Sequence, residues 1–253
     1  MKKNSILKTL YVISPFKGES TKLLETTIES LMRNRTQTLF KHKIIYDKSS
    51  KDIILRLKNK IRYEKDNKFY RVSFHEVQKK GIYSAINLGL ENIPLQSHYI
   101  VIGAGDLFKE IKGSLNVQRD NIILLPYKLS SSIKNEYLRN LRSFYSGMPY
   151  CHNAIIYIND GSMYSNKYKI SSDYEHFLKY VKKYKLTRKS ILRNFQEEIF
   201  VVFESSIGIS SKSKFLKYFE NILIIYRDSG YLKLFLYFWH NFRKVFILFW
   251  NQN

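Results

Sequence analysis

The sequence predicts an α/β fold, a mainly parallel central sheet flanked by helices, and three observations predict it. Short apolar runs alternate with segments of helical periodicity from Leu10 to Asp106, the pattern of repeated strand–helix units. Three of these runs stop at a polar residue, Ser14, Asp47 or Asp106, and open α/β sheets bind ligands beyond the carboxyl ends of their strands. The composition permits such a layered core. A chain of 253 residues, 44% hydrophobic and 15% aromatic, fits one large domain or a domain with a small appendage, and excludes intrinsic disorder. With 10 Gly and 4 Pro it is neither collagen-like nor of low complexity.

Taken in order, residues 10–13 read as a buried strand stopped at Ser14-Pro15. Leu23, Leu24, Thr27, Ile28 and Leu31 recur at helical spacing within 20–33. Residues 44–46 form a second apolar strand ending at Asp47, and 51–63 a charged helix. A strand at 69–74, a helix at 82–90 and a strand at 98–102 follow, the last running into Gly103-Ala104-Gly105-Asp106. Beyond it the expected strands are 122–127, 154–158 and 200–203, and the expected helices 174–184, 190–198 and 211–226. Composition shifts at Asp228-Ser229-Gly230, the expected boundary between a domain of residues 1–228 and a C-terminal helical appendage of residues 229–253.

Charge and cysteine content narrow the chemistry. Lys and Arg number 43 against 21 Asp and Glu, a formal charge of +22 that attracts polyanions of any kind. Lys, Ile, Asn and Tyr are abundant throughout, so the charge by itself identifies no surface. Cys151 is the only cysteine, which excludes a disulfide framework and a cysteine-based zinc site. Residues 1–8 are basic without the apolar run of a signal peptide, and no stretch of about 18 residues is free of charge; neither secretion nor a membrane span is expected. Gly103-Ala104-Gly105 is followed by Phe108 where a dinucleotide fingerprint needs its third glycine, and no Walker A loop is present. A phosphorylated ligand would then need a carboxylate-bound divalent cation. Asp106, flanked by small residues at the end of an apolar strand, suits Mg²⁺ or Mn²⁺; the alternative is a loop aspartate capping the turn into Leu107-Phe108.

Several stretches resemble, in order and spacing, the family-2 glycosyltransferases of the GT-A fold. They are Ser14-Pro15, Asp47-Lys48-Ser49-Ser50-Lys51-Asp52, Gly81-Ile82-Tyr83-Ser84-Ala85-Ile86-Asn87-Leu88-Gly89-Leu90 and Tyr99-Ile100-Val101-Ile102-Gly103-Ala104-Gly105-Asp106. The G-I-Y-x-A-x-N-x-G stretch followed by a strand and G-D is the most specific, and it looks like the branch that builds bacterial surface polysaccharides such as lipopolysaccharide and capsule. Pro149-Tyr150-Cys151-His152-Asn153 and Tyr168-Lys169-Ile170-Ser171-Ser172-Asp173-Tyr174-Glu175 are similar to that branch's later half.

The resemblance implies a Rossmann-like GT-A domain that moves a sugar from a nucleotide-diphosphate donor, by default a UDP-sugar, to a hydroxyl of a glycan or lipid-linked acceptor. It implies that Ser14, Pro15 and Phe16 border the nucleotide, and that Asp47 accepts a hydrogen bond from the base while Ser50 and Asp52 shape that loop. Ala85 and Asn87 would line the nucleoside, and Gly105 and Asp106 the diphosphate, with Asp106 coordinating Mn²⁺ or Mg²⁺. Asp173 would be the general base that deprotonates the acceptor, giving inversion, and His152 a contact to the acceptor or the donor phosphate. The chain departs from the family pattern at Ala104, where a first metal-loop carboxylate usually stands, at Gln78-Lys79-Lys80, which replace acidic residues and displace Glu76, and at Ser84.

Past the boundary, Leu234, Phe235, Phe238, Phe242, Val245, Phe246 and Phe249 recur at helical spacing among Lys233, His240, Arg243 and Lys244. A basic aromatic helix of this kind lies in the headgroup region of an anionic membrane, or packs on a core or a second copy. The expected location is cytoplasmic, peripheral on the inner face of the cell membrane. Two competing functions stand beside the transferase. The +22 charge and 20 Tyr would suit nucleic-acid binding, but no recognisable module appears and the lysines are spread, so no nucleic acid partner is expected. The missing metal-loop carboxylate would suit a GT-A scaffold that binds without turnover.

Overall fold

A computed structural model describes residues 5–18, 20–33, 38–61, 68–79, 81–109, 116–117, 122–129, 141–192, 200–203 and 213–250. The strands are β1 (Ser5–Ile6), β2 (Thr9–Phe16), β3 (Leu39–Asp47), β4 (Tyr70–Val77), β5 (His98–Val101), β6 (Leu107–Lys109), β7 (Asn116–Val117), β8 (Ile123–Leu124), β9 (Tyr127–Leu129), β10 (Ile155–Ile158) and β11 (Phe200–Phe203). The helices are α1 (Lys22–Met32), α2 (Lys51–Ile61), α3 (Ile82–Glu91), α4 (Ser172–Lys183), α5 (Arg188–Leu192) and α6 (Lys214–Trp250).

The central sheet has the order β4-β3-β2-β5-β10-β8. Its first four strands are parallel, and β10 and β8 extend it antiparallel. Leu10, Val12, Ile13, Phe40, Ile44, Ile45 and Ile100 are fully buried, as strands covered on both faces require. Two further sheets flank it, β6-β11-β9 and the pair β1-β7. Helix α3 lies directly on β2, because Gly89 carries no side chain there: a Cβ would come 2.7 Å from Ile13 Cγ2.

Several expectations are corrected. The strand expected to stop at Ser14-Pro15 runs to Phe16, with Pro15 opposite Ile45. Proline fits because the Ile13 carbonyl, two residues earlier, faces the β5 side, accepting from Ile102 N–H at 2.9 Å. Position 15 faces the same side, where β5 has already ended, so no ladder donor is lost. The single strand expected at 122–127 is two, β8 and β9, in different sheets. Pro126 has no N–H to continue the ladder, and its carbonyl instead accepts from Val201 N–H at 3.0 Å. The helix expected at 190–198 starts at Arg188, since Thr187 and Ser190 cap each other reciprocally: Ser190 N–H donates to Thr187 Oγ1 at 3.1 Å and Thr187 N–H to Ser190 Oγ at 2.9 Å. Residues 193–198 of that helix lie outside the described residues.

The two helices expected at the C-terminus are present within the run α6 and meet at Gly230, whose non-helical φ of 74° and ψ of −175° only glycine adopts readily. The segment after the bend returns to the body. Tyr237 is buried with its ring 5.4 Å from that of Tyr218, and Lys233 Nζ sits 4.8 Å over the Tyr145 ring. Phe215, Phe219, Tyr231, Leu232, Phe235, Leu236 and Trp239 remain exposed. The side chains expected to continue this pattern, Phe242, Val245, Phe246 and Phe249, with His240, Arg243 and Lys244, lie outside the described residues. No helix among the described residues is long and apolar enough to cross a membrane.

Candidate active site

Because β2, β3 and β5 are parallel, the loops that follow them leave the sheet at one edge. The loop after β3 is built by Asp47, whose Oδ1 accepts Ser49 N–H at 3.0 Å and Ser49 Oγ–H at 2.7 Å, capping a short turn over Lys48–Ser50. Ser50 is buried and staples this loop to the one after β2, donating to the Gly18 carbonyl at 3.0 Å and accepting Gly18 N–H at 3.2 Å. Phe16, the last residue of β2, is buried beneath Gly18. Asp52 lies in the first turn of α2, and Glu76, on β4 opposite Tyr46, is 3.7 Å from Lys51 Nζ.

Ser14 lies within β2 and faces the interior. It is fully buried, its Oγ 2.8 Å from His42 Nε2, while His42 Nδ1 is 2.8 Å from the Tyr70 hydroxyl. Burial pushes the His42 imidazole down to about 3, so it is neutral in this Ser–His–Tyr chain. The Ser14 side chain is thus part of the sheet's internal polar wiring, and the strand-end position expected of it belongs to Phe16.

The loop after β5 is the most tightly tied. Gly105, at φ 99°, turns its N–H onto the Leu23 carbonyl at 3.0 Å and Thr27 Oγ1 at 2.9 Å. Phe108 N–H donates to Ser30 Oγ at 3.2 Å, so one face of α1 holds the loop twice. Asp106 is nearly buried, and its Oδ2 accepts Gly103 N–H at 2.9 Å and the Asn153 amide at 2.6 Å. Asn153 belongs to the short turn His152–Ala154 that leads into β10, so Asp106 joins the two halves of the sheet.

From Asn153 a chain of contacts leads to Asp173. His152 Nε2 is 3.2 Å from the Tyr164 hydroxyl, and the Tyr164 ring stacks on Tyr83 at 6.0 Å and on His176 at 4.1 Å. Asn87 brackets the Tyr164 backbone, donating to its carbonyl and accepting its N–H, both at 2.8 Å. Ala85 is buried on the same helix and Ser84 bonds Asn166 at 3.1 Å. The Tyr83 hydroxyl donates to the Ile170 carbonyl and lies 3.5 Å from Asp173 Oδ1. Asp173, in the first turn of α4, also accepts Tyr174 N–H at 2.8 Å on that oxygen.

The electrostatics report the same convergence. Desolvation pushes the Cys151 thiol up to about 12, and the negative charges of Asp106 and Asp173 both push in that direction. The thiol therefore stays protonated and is not a nucleophile. Desolvation also holds His152 below its ordinary value, against the pull of Asp173. His152 is half-buried, with Nε2 on Tyr164 and Nδ1 buried without a partner among the described residues.

Asp106, His152 and Asp173 are thus linked through Asn153, Tyr164 and Tyr83, while Asp47 and Ser50 stand on the same edge as the Asp106 loop, two strands away from β5, about 10 Å at ordinary strand spacing. Sequence reasoning assigned no role to Thr27, Asn153, Tyr164 or Glu220. Thr27 was visible as a hydroxyl on an apolar helical face; the others carry no local signal, because their partners are distant in the chain.

No protein-family profile and no curated protein matches this chain. Solved structures do. Staphylococcus aureus TarS 1–349, a GT-A-type glycosyltransferase, aligns with a TM-score of 0.52 at 12% identity, covering 87% of this chain and 66% of that one. TarS 1–349 in complex with UDP gives 0.53 at 13% identity over 87% and 65%, and a longer TarS chain 0.50 at 13% over 87% and 40%. The chain therefore spans just under two thirds of the shorter TarS structures and well under half of the longer one. Likeness at this identity is likeness of fold, and the fold is the GT-A type expected.

Proposed function

We propose that this protein is a glycosyltransferase that moves a hexosyl group from a nucleotide-diphosphate sugar, with UDP as the nucleotide, to a hydroxyl of a glycan or lipid-linked acceptor in bacterial surface-polysaccharide synthesis. The observation that carries this reading is the run of contacts that links the two carboxylates, Asp106 to Asn153, His152 to Tyr164, Tyr164 to Tyr83 and Tyr83 to Asp173, beside the carboxyl edge of a GT-A-type sheet. The TarS fold, crystallised with UDP, supports UDP as the donor nucleotide. The base would sit by Asp47 and Ser50, with the diphosphate two strands over at Gly105 and Asp106, a separation that suits the length of a nucleoside.

Among the described residues no cluster of three His, Cys, Asp or Glu side chains would hold a metal ion unaided. The site nonetheless fits Mn²⁺ or Mg²⁺ of the kind that takes one carboxylate and completes its shell with phosphate oxygens and water. Asp106 would hold it, and the cation would offset the charge of the leaving diphosphate. Gly103 N–H and the Asn153 amide fix the Asp106 carboxylate in place for that role. Asp173 takes the proton of the acceptor hydroxyl. The freed oxygen attacks the anomeric carbon, the carbon–phosphate-oxygen bond breaks and UDP departs, with inversion. The Tyr174 N–H and the neighbouring Tyr83 hydroxyl orient Asp173.

Asp106→Ala and Asp173→Ala should each lower transfer by about a hundredfold or more. Asp106→Ala should also lose the Mn²⁺-dependent thermal shift produced by UDP, which Asp173→Ala should keep. Wild-type turnover in both variants would defeat the assignment. The lone metal-loop carboxylate favours a second reading, a scaffold that binds UDP without turnover; a clear UDP shift with no UDP released from any UDP-sugar would establish it. The exposed apolar residues of α6 support attachment to the inner, anionic face of the cell membrane. Replacing Leu232, Phe235, Leu236 and Trp239 by Ser should abolish flotation with phosphatidylglycerol vesicles, and undiminished flotation would reject that attachment.

A further inference from the structure

We infer that Glu220, on α6, is a positioning residue for Asp173. The inference rests on the reading of Asp173 as the base. Glu220 is buried although its neighbours Tyr218 and Phe219 are exposed. Its Oε1 accepts Lys169 N–H at 2.7 Å, and its Oε2 accepts Ile170 N–H at 3.0 Å and Ser171 N–H at 2.8 Å. These three consecutive groups precede α4, so the helix itself cannot satisfy them. Ser171 stands at the N-cap but makes no side-chain cap, and its hydroxyl reaches instead toward the Lys217 carbonyl at 3.5 Å. A carboxylate from another helix thus holds the three N–H groups that lead into α4, at the end of that helix where negative charge is favoured.

The consequence falls on Asp173. The Ile170 residue is held from both sides, its N–H by Glu220 and its carbonyl by the Tyr83 hydroxyl. A buried carboxylate is tolerable only while its hydrogen bonds are complete, so the 169–171 backbone has one arrangement that satisfies it. Asp173 follows within one helical turn and inherits its place from that arrangement. The first half of α6, otherwise an amphipathic surface helix, therefore holds the base in register with the Asp106 loop.

The test uses the full chain with Glu220→Gln, which keeps the volume and loses the charge, and Glu220→Ala. Peptide-resolved hydrogen exchange should accelerate at 169–171 in both, with β2 and β3 unchanged. With Mn²⁺ and whichever of UDP-glucose, UDP-galactose or their N-acetylated forms the wild type consumes, Glu220→Gln should lower kcat about tenfold while donor KM and UDP affinity stay within about twofold. Adding Glu220→Gln to Asp173→Asn should cost little more than Asp173→Asn alone, because both act through one group. Unaltered exchange at 169–171, full kcat in Glu220→Gln, or additive losses in the double variant would overturn the inference while leaving an inactive Asp173→Asn, and so the proposed reaction, intact. An Asp173→Asn enzyme with wild-type turnover would instead remove the base assignment and the inference together.

Discussion

Asp106 and Asp173 are held in contrasting ways. Asp106 sits in the loop after a core strand, its carboxylate bonded by Gly103 N–H and the Asn153 amide, and that loop is pinned to α1 by Thr27 and Ser30. Asp173 sits at the start of a helix with no cap of its own, and the backbone just before it is held by Tyr83 and Glu220, one from each side in sequence. Asp106 is bonded directly, by its own loop and by Asn153, whereas Asp173 is placed mainly through the backbone that precedes its helix. The proposed donor side of the site is therefore built into the sheet, while the proposed acceptor side depends on how the second half docks.

Acid should test whether the two regions behave as one body. His42 in the sheet and His176 in α4 are both pushed by burial to about 3. Their folded values are lowered, so their contribution to stability is present above the unfolded value near 6.5 and is lost as pH falls toward about 3. The two should together remove on the order of 5 kcal/mol between pH 6.5 and pH 4. Thermal denaturation followed by circular dichroism over that range should show one transition moving down; two separating transitions would show that the regions unfold independently.

A smaller effect probes the sheet alone. Gly89→Ala places a Cβ 2.7 Å from Ile13 Cγ2, pushing α3 off β2. It should cost about 2 kcal/mol in urea unfolding, even after the helix-propensity gain of alanine. A neutral result would mean that the helix rides freely over the strand.

The two smallest effects set the carboxylates directly against each other. Asn153→Ala removes an amide from Asp106 and should weaken Mn²⁺-dependent UDP binding by about tenfold in calorimetry, roughly the value of a hydrogen bond to a charged group. Tyr83→Phe removes the bond to the Ile170 carbonyl and should cost about 1 kcal/mol of stability with UDP affinity unchanged, its functional loss appearing in kcat. If Tyr83→Phe weakened UDP binding as much as Asn153→Ala did, the division into two sides would fail.

The legibility of the chain follows the same division. From Leu10 to Asp106 each expected strand and helix exists, with ends displaced by a few residues, because apolar periodicity is a local property. The displacement at Ser14 has a specific cause: Pro15 reads as a stop, and it stands in a strand only because its neighbour on that side has ended. The 122–127 run failed for the converse reason, since Pro126 there separates strands of two sheets. Asp106 and Asp173 were visible as acidic residues at element ends, whereas Glu220 looked like one more charge on a basic amphipathic helix. Its burial depends on three N–H groups about fifty residues earlier, and no pattern within a helix announces that.

By itself the sequence determined the layered α/β architecture, the parallel order of its first strands and the edge at which polar residues gather, since burial of apolar side chains at periods of two and 3.6 leaves few other arrangements. Tertiary structure alone decided that Asn153 meets Asp106, that Tyr83 and Glu220 grip opposite sides of one residue, and that Ser14 turns inward to His42. Hydrogen bonds between groups far apart in the chain form only after the core has brought them together, so their partners are set by the packed shape and not by neighbouring residues.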